Sequence, residues 1–287
     1  MFEAWLEDLP EAKFLGDFEG EKWHEIRSQG IGGSEVGTIL GLNPWESAYT
    51  LFHKKQGNID DTVEPNWAIR FGNAFEAPIL ALYQEEHPEA EIFLTGTFAN
   101  KEHSWKHANP DALAKVNGEW QIIEVKTARA GFRELPAHYE AQVIWYMHVT
   151  GIRKARLVAV AGMTWQEFEI DYDPFVAETY DKAVTQFWNY LQENKAPDWD
   201  GSKSTYETVR ALHPDIEDDD TRIELETWLE LKEALRQQAK ADEKVNLIKS
   251  QILDQMGKAK YGWVGDRRVV SRQAKGKGKP YLVIGEK

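Results

Sequence analysis

Asn109-Pro-Asp-Ala-Leu-Ala-Lys-Val-Asn-Gly-Glu-Trp-Gln-Ile-Ile-Glu-Val-Lys-Thr127 decides how the chain is read. Asn117-Gly118 is a strong hairpin signal, because both residues tolerate the positive φ of a type I′ turn. A two-residue turn sets Val116 opposite Glu119, and each step outward pairs residues whose numbers sum to 235. Asp111 then falls opposite Glu124, and Asn109 opposite Lys126. Glu124 and Lys126 are two apart and share one face of their strand. Opposed side chains on an antiparallel pair have Cβ atoms about 4.5–5.5 Å apart, where like charges repel. A divalent cation between the carboxylates would offset that repulsion, and Mg²⁺ typically takes one or two carboxylates plus waters and phosphate oxygens. Lys126 beside it could orient a water or neutralise a phosphate.

An arbitrary Glu-x-Lys is more often a solvated ion pair on a surface hairpin. Here Ile122, Ile123 and Val125 make the strand apolar on both faces, as in a buried central strand. A buried carboxylate needs a partner. Pro110-Asp111, a spacer and Glu124-Val125-Lys126 together resemble the metal site of the PD-(D/E)XK nuclease superfamily.

A second block lies upstream, in Glu21-Lys-Trp-His-Glu-Ile-Arg-Ser-Gln-Gly-Ile-Gly-Gly-Ser-Glu-Val-Gly-Thr-Ile-Leu-Gly41. Residues 21–28 suit a short helix. Gly30–Gly33 reads as a flexible turn, with Ser34 as N-cap of a helix to Leu40 and Gly41 as its stop. A Gly-rich turn entering a capped helix offers N–H groups to an anion, and Arg27 lies just before it. Trp23-His-x-x-Arg27, Ile31-Gly-Gly-Ser34-Glu35-Val36 and Gly41-x-Asn43-Pro-Trp45 resemble the N-terminal block of the lambda-exonuclease / YqaJ-like viral recombinase family. That resemblance implies that Arg27 and Ser34 contact a 5′-terminal DNA phosphate or nearby DNA.

Two further elements extend the resemblance. Asn66 reads as the cap of a helix from Trp67 to about Glu86, with Phe71, Phe75, Ile79 and Leu82 as its apolar stripe. Pro78 should kink it or start a new segment. Glu76 could be a rim residue of an amphipathic helix, but Gly72-Asn-Ala-Phe-Glu76-Ala-Pro78 matches the family's Gly…Glu-x-Pro pattern, and that resemblance implies that Glu76 completes the metal site. Pro136 fits the first turn of a helix to Thr150, where Gln142 and Tyr146 share a face at i and i+4. The family places such a glutamine near metal or phosphate and such a tyrosine near DNA.

The remaining chain is less specific. Residues 1–20 read as an arm or edge segment, and 59–65 as an acidic loop. Residues 91–99 read as one strand with Gly96 at a bulge or end. Asn43-Pro-Trp45 is a turn, and 47–56 a short helix. Residues 155–161 and 165–170 form two paired strands. A helix follows over 175–193, with Phe175, Ala183, Phe187 and Leu191 inward. These elements make an α/β domain over 1–195, a mixed central sheet flanked by helices. Residues 196–287 form an extension: a linker at 197–204, a polar acidic stretch, a helix over 221–256, and two short strands around Lys275-Gly-Lys-Gly-Lys279. That basic run is either a solvated turn or a contact to a DNA backbone.

Composition frames this reading. The net charge of −14 opposes a nucleic-acid partner, yet residues 244–287 hold eleven Lys/Arg against three Asp/Glu. There are no cysteines, which removes disulfides, thiolate zinc sites and iron–sulfur clusters and fits a reducing cytoplasm. No apolar run approaches the roughly 20 residues of a membrane span, and no signal peptide is evident.

The resemblance implies a Mg²⁺-dependent exodeoxyribonuclease, with Mn²⁺ as the alternative ion. It would digest one strand of duplex DNA from a 5′ end to leave a 3′ tail for phage-type recombination in a bacterial host. Asp111, Glu124, Glu76 and the Val125 carbonyl would hold metal. Lys126 and Gln142 would complete the catalytic set, and Asn109 and Tyr146 are secondary DNA-contact candidates. The implied partners are double-stranded DNA ends, a homotrimeric ring and a single-strand annealing protein. The competing expectations are a PD-(D/E)XK endonuclease and a non-catalytic DNA-binding module on the same fold.

Overall fold

Alternation along one strand sets the layering. In the computed structural model, which describes residues 9–18, 20–60 and 66–285, Ile122 joins the core on one face of a central strand while Ile123 and Val125 join the core on the other. Glu124 and Lys126 therefore share the face of Ile122.

In chain order the elements are β1 (Ala12–Gly16), α1 (Gly20–Ser28), α2 (Gly33–Ile39), α3 (Ala48–Lys55), α4 (Trp67–Glu86), β2 (Ala90–Leu94), β3 (Thr97–Asn100), β4 (His107–Ala108), β5 (Ala112–Val116), β6 (Glu119–Ala128), α5 (Ala137–Thr150), β7 (Lys154–Ala161), β8 (Thr164–Asp171), α6 (Pro174–Glu193), α7 (Lys203–Leu212), α8 (Leu225–Met256), β9 (Tyr261–Val264), β10 (Arg267–Gln273) and β11 (Tyr281–Ile284). The main sheet runs β2-β5-β6-β7-β8, with β6 and β7 parallel and the other pairs antiparallel. α5 is the crossover between the parallel pair. Its Trp145, Val143 and Met147 pack on the Ile122 face, and Ile79, Leu80 and Tyr83 of α4 pack on the opposite face. A smaller sheet, β1-β3-β4, has β1 at its edge.

The hairpin forms as expected. Asn117 and Gly118 take φ of 51° and 86°, and the pairs from Val116↔Glu119 to Ala112↔Ile123 all sum to 235. The ladder stops there, so Asp111 and Asn109 approach β6 from a loop. Asp111 keeps its place near Glu124 by accepting the Val125 N–H at 2.7 Å.

Several expectations are corrected. Ser34 is not a cap. Gly32 is the N-cap of α2, and Glu35 reaches back to accept the Gly32 N–H at 2.9 Å. Pro136 is likewise the N-cap of α5 rather than within its first turn. α4 runs unbroken through Pro78; Ala74, whose carbonyl the missing N–H would have met, lies on the exposed side, where water can serve it. Phe71, Phe75 and Leu82 are exposed, and the buried stripe is Ile79, Leu80 and Tyr83. Phe71 and Phe75 instead stack on each other, 4.2 Å between centroids. Residues 91–99 split into β2 and β3 in different sheets, because Gly96 packs against the Gly16 carbonyl with no room for a side chain. Phe175 is exposed and Ala183 half-buried; Ala177, Val184, Phe187 and Leu191 line the inner face of α6.

The boundary near 195 also moves. The first compact unit runs to Ile216 and the second begins at Glu217. α7 belongs to the first because its hydroxyls interlock with those of α3: Thr50 Oγ1 lies 2.7 Å from Ser204 Oγ and 2.8 Å from Thr208 Oγ1, and Thr205 donates to Ser47 at 2.8 Å. The second unit holds α8 and an antiparallel sheet ordered β11-β10-β9, three strands where two were expected. Residues 1–8 and 19 of the expected arm, and 61–65 of the acidic loop, lie outside the described residues. Among the described residues, no helix is long and apolar enough to cross a membrane.

Candidate active site

The open end of β6 meets α1, α2 and α5 around a cleft of about 350 Å³. Arg27, Ser34, Asn109, Asp111, Glu124, Lys126, Gln142 and Tyr146 all line it. Strand pleat, a two-residue hairpin and an i,i+4 helical pair thus converge on one volume.

Glu124 is its centre. The side chain is buried, and Oε1 accepts from Lys126 Nζ at 2.5 Å and Gln142 Nε2 at 2.7 Å. Gln142 Nε2 also donates to the Tyr146 hydroxyl at 2.8 Å. Tyr146 is buried, so it anchors Gln142 rather than offering a broad surface to a ligand. Lys126 Nζ stands 5.1 Å from the Tyr139 ring centroid. Asn109 accepts from Thr97 Oγ1 at 3.0 Å, which steadies the loop that carries Asp111.

The electrostatics are those of acids short of a cation. Burial, then the neighbouring Asp111 charge, push the Glu124 carboxyl up to about 8, against the opposing pull of Lys126. Burial also raises Asp111. Glu76, half-buried on α4, is pushed up to about 7 by burial and then by Asp111. Burial alone would lower the Lys126 ammonium, but Glu124 and Asp111 hold it above the usual lysine range.

A divalent ion fits this set. Glu124 Oε2 is buried with no hydrogen-bond partner, a costly arrangement for a carboxylate. Among the described residues, no three His, Cys, Asp or Glu side chains converge as a ready-made metal cluster. The remaining ligands would therefore be carbonyl, water or phosphate oxygens, as is usual for Mg²⁺.

The second half of the cleft turns on a residue to which the sequence reading assigned no role. Glu35 is buried, accepts from Arg27 Nε at 3.2 Å, and pairs with Lys55 Nζ at 3.0 Å. Burial would raise its carboxyl, but Lys55 and Arg27 outweigh that and lower it. Lys55 also donates to the carbonyls of Arg27 and Gly30 at 3.0 and 2.7 Å. Arg27 lies 4.9 Å from the Trp23 ring centroid and reaches Ser34 Oγ at 3.5 Å. Arg27 is thus aimed by a buried acid, a ring and a hydroxyl. The capping-box spacing, with Glu three residues after Gly32, was the signal available for Glu35. His107 also lines the cleft; its Nε2 donates to the Ser104 carbonyl at 3.0 Å, a local use that needs no catalytic role.

α2 and α5 approach closely enough to assemble these two halves because Gly33 and Gly37 face α5. A Cβ at Gly33 would lie 2.5 Å from Tyr146 Cε1, and one at Gly37 would lie 2.8 Å from His138 Cβ.

A family model, the YqaJ-like viral recombinase domain, matches residues 22–153. Residues 22–153 thus resemble a YqaJ-like viral recombinase domain. That span contains the cleft residues Arg27, Ser34, Asp111, Glu124, Lys126, Gln142 and Tyr146, together with Glu35 and Glu76, which do not line the cleft. Over 266 residues the chain is 28% identical to the uncharacterized protein YqaJ of Bacillus subtilis strain 168, spanning 86% of this chain and 81% of that one. The fold is shared with an alkaline exonuclease, LHK-Exo, from Laribacter hongkongensis, at 17% identity and a TM-score of 0.50, over 68% of this chain and all of that one. The same enzyme in complex with dAMP gives a TM-score of 0.51 at the same coverage. The chain therefore shares the fold of this alkaline exonuclease.

Proposed function

We propose that the chain is a Mg²⁺-dependent exodeoxyribonuclease that digests one strand of linear duplex DNA from its 5′ end, leaving a 3′ single-stranded tail for phage-type homologous recombination. The carrying observation is that one cleft holds both Asp111/Glu124/Lys126/Gln142 and Arg27/Ser34. The first group suits phosphodiester hydrolysis, and the second suits a terminal phosphate. The fold shared with an alkaline exonuclease agrees with this reading.

Asp111, Glu124 and the Val125 carbonyl would hold Mg²⁺, or Mn²⁺ in its place, with Glu76 joining through a bound water, and the ion would polarise the scissile phosphate and acidify a water. Lys126, kept charged by its acidic neighbours, orients that water or neutralises the phosphate. Gln142 donates to the same Glu124 oxygen as Lys126 and is itself held by Tyr146. Arg27, preset by Glu35 and Trp23, pairs with the 5′-phosphate, and Ser34 donates to it. A ring of three copies, a single-strand annealing partner and action in a bacterial cytoplasm belong to the same reading.

The test is linear duplex DNA labelled separately at each end, incubated with Mg²⁺ and either the wild type or Lys126→Ala. Stepwise loss of the 5′ strand by the wild type alone, with covalently closed circles intact, is expected. Cutting of closed circles would make the protein an endonuclease. Equal DNA binding by both proteins without any cutting would make it a binding module.

Arg27→Ala separates end recognition from chemistry. A hydrogen bond to a charged group contributes about 1.5–3 kcal/mol, or roughly ten- to a hundredfold. The variant should lose that much activity on 5′-phosphorylated ends and little on 5′-hydroxyl ends. Equal loss on both would remove Arg27 from phosphate recognition.

A further inference from the structure

The C-terminal unit carries chemistry that the cleft does not use. Between residues 257 and 285 there are eight Lys/Arg and one Asp, in a chain whose net charge is −14. These residues form the β9-β10-β11 sheet, and its two faces differ.

The middle of one face packs within the unit. Val270 is buried, Gly262 packs on it and on Met256, and Arg272 donates to the Gly257 carbonyl. The other face follows from the register. Trp263 pairs with Arg268, Tyr261 with Ser271, and Gln273 with Tyr281. The bulge between Arg268 and Val270 shifts parity by one, so Arg268 and Ser271 both emerge beside the β9 aromatics. Tyr261, Trp263 and Tyr281 consequently lie on one surface, 41%, 60% and 49% exposed. Arg268 stands 4.8 Å and Lys260 Nζ 5.2 Å from the Tyr261 ring centroid. A groove of about 450 Å³ crosses this surface past Lys260, Tyr261, Arg268 and Gln273. The β10–β11 connection adds exposed Lys275, Lys277 and Lys279.

Three exposed rings on a sheet face, flanked by cations, match the requirements of an unpaired nucleic-acid strand: stacking for bases and positive charge for the backbone. Duplex DNA keeps its bases stacked internally and would use the lysines but not the rings. We infer that the β9–β11 sheet is a second nucleic-acid site, separate from the cleft, that binds single-stranded DNA. This inference does not depend on the nuclease reading.

The test uses full-length protein in EDTA, so that cleavage plays no part. Fluorescence anisotropy is read with a labelled dT20 strand and with a labelled duplex closed by hairpins at both ends, across a salt series. Lys275→Ala/Lys277→Ala/Lys279→Ala alters only an exposed loop. It should weaken dT20 binding and flatten the log–log salt slope by about 2, at roughly 0.7 per phosphate contact on a single strand. Trp263→Ala/Tyr281→Ala should weaken dT20 binding by about tenfold or more and leave the closed duplex unaffected. An unchanged affinity and salt slope in the lysine variant would overturn the site. Equal losses on dT20 and closed duplex in Trp263→Ala/Tyr281→Ala would overturn its assignment to single strands. Cleavage of linear duplex by the same variants in Mg²⁺, scored separately, tells a failure of this site from a failure of the nuclease reading.

Discussion

Glu124→Gln is expected to abolish cleavage and, in the same protein, to remove a loss of stability at alkaline pH. The substitution keeps the shape of the side chain and deletes the charge that would hold the metal. Bound metal supplies several kcal/mol of transition-state stabilisation, so activity should fall by about a thousandfold or more. The stability effect has the opposite sense. Burial and Asp111 push the Glu124 carboxyl up to about 8, from an ordinary value of 4.5. A carboxyl raised in the folded state contributes stability that is full below its unfolded value and is lost as pH climbs through the folded value. Metal-free wild type should therefore melt at a lower temperature at pH 9 than at pH 6.5. Glu76, pushed up to about 7, acts in the same direction at slightly lower pH. Mg²⁺ should restore the wild-type melting temperature at pH 9, because it binds the ionised folded form. Glu124→Gln should show a smaller drop between the two pH values and little response to Mg²⁺. An equal drop in both proteins would show that Glu124 is not the strained carboxyl.

Gly33→Val should cost both stability and activity, although residue 33 carries no chemistry. A Cβ there meets Tyr146 Cε1 at 2.5 Å and the Gln142 carbonyl at 3.0 Å, and backbone cannot yield as a flexible side chain can. Overpacking of this kind costs about 1–3 kcal/mol, which lowers the melting temperature by roughly 2–4 °C per kcal/mol in a unit of this size. To make room, α2 must retreat from α5. Ser34 and Glu35 travel with α2, and Gln142 and Tyr146 stay with α5. A displacement of about 1 Å at a catalytic group can cost about a hundredfold, so the loss in kcat should exceed what partial unfolding explains. Gly32→Ala is the control: its φ of −92° suits any residue and a Cβ there meets nothing. If Gly33→Val were as active as Gly32→Ala, the close approach of the two helices would have no part in the site.

How far the sequence could be read depended on the range of the interaction involved. The hairpin was legible because a two-residue turn propagates its register one pair at a time, which places Asp111 beside Glu124 from Asn117-Gly118 alone. Gln142 and Tyr146 were legible as an i,i+4 pair for the same local reason. The misses all depended on contacts distant in sequence. Phe71 and Phe75 have the periodicity of a buried stripe, but the α4 side chains buried against the sheet begin at Ile79. α7 looks polar, and its attachment is a set of hydroxyls whose partners lie more than 150 residues earlier. Glu35 resembles any acidic residue in a helix's first turn until Lys55 and Arg27 close on it. Gly96 could mark a bulge or a strand end, and only the arrival of Gly16 at its α-carbon makes it the border between two sheets.

The β5–β6 ladder ends at Ala112↔Ile123, and the next donor on β6, the Val125 N–H, is taken by a side chain, Asp111 Oδ2. A residue suited to holding a cation is therefore also the final rung of the sheet. Two requirements, one of chemistry and one of architecture, fall on a single carboxylate. Asparagine could still accept the hydrogen bond but would bring no charge, and a glutamate from this loop would carry the charge on a longer arm that overshoots the amide. Aspartate meets both requirements where these neighbours each meet one, so this position has less freedom to drift than a purely catalytic or a purely structural one.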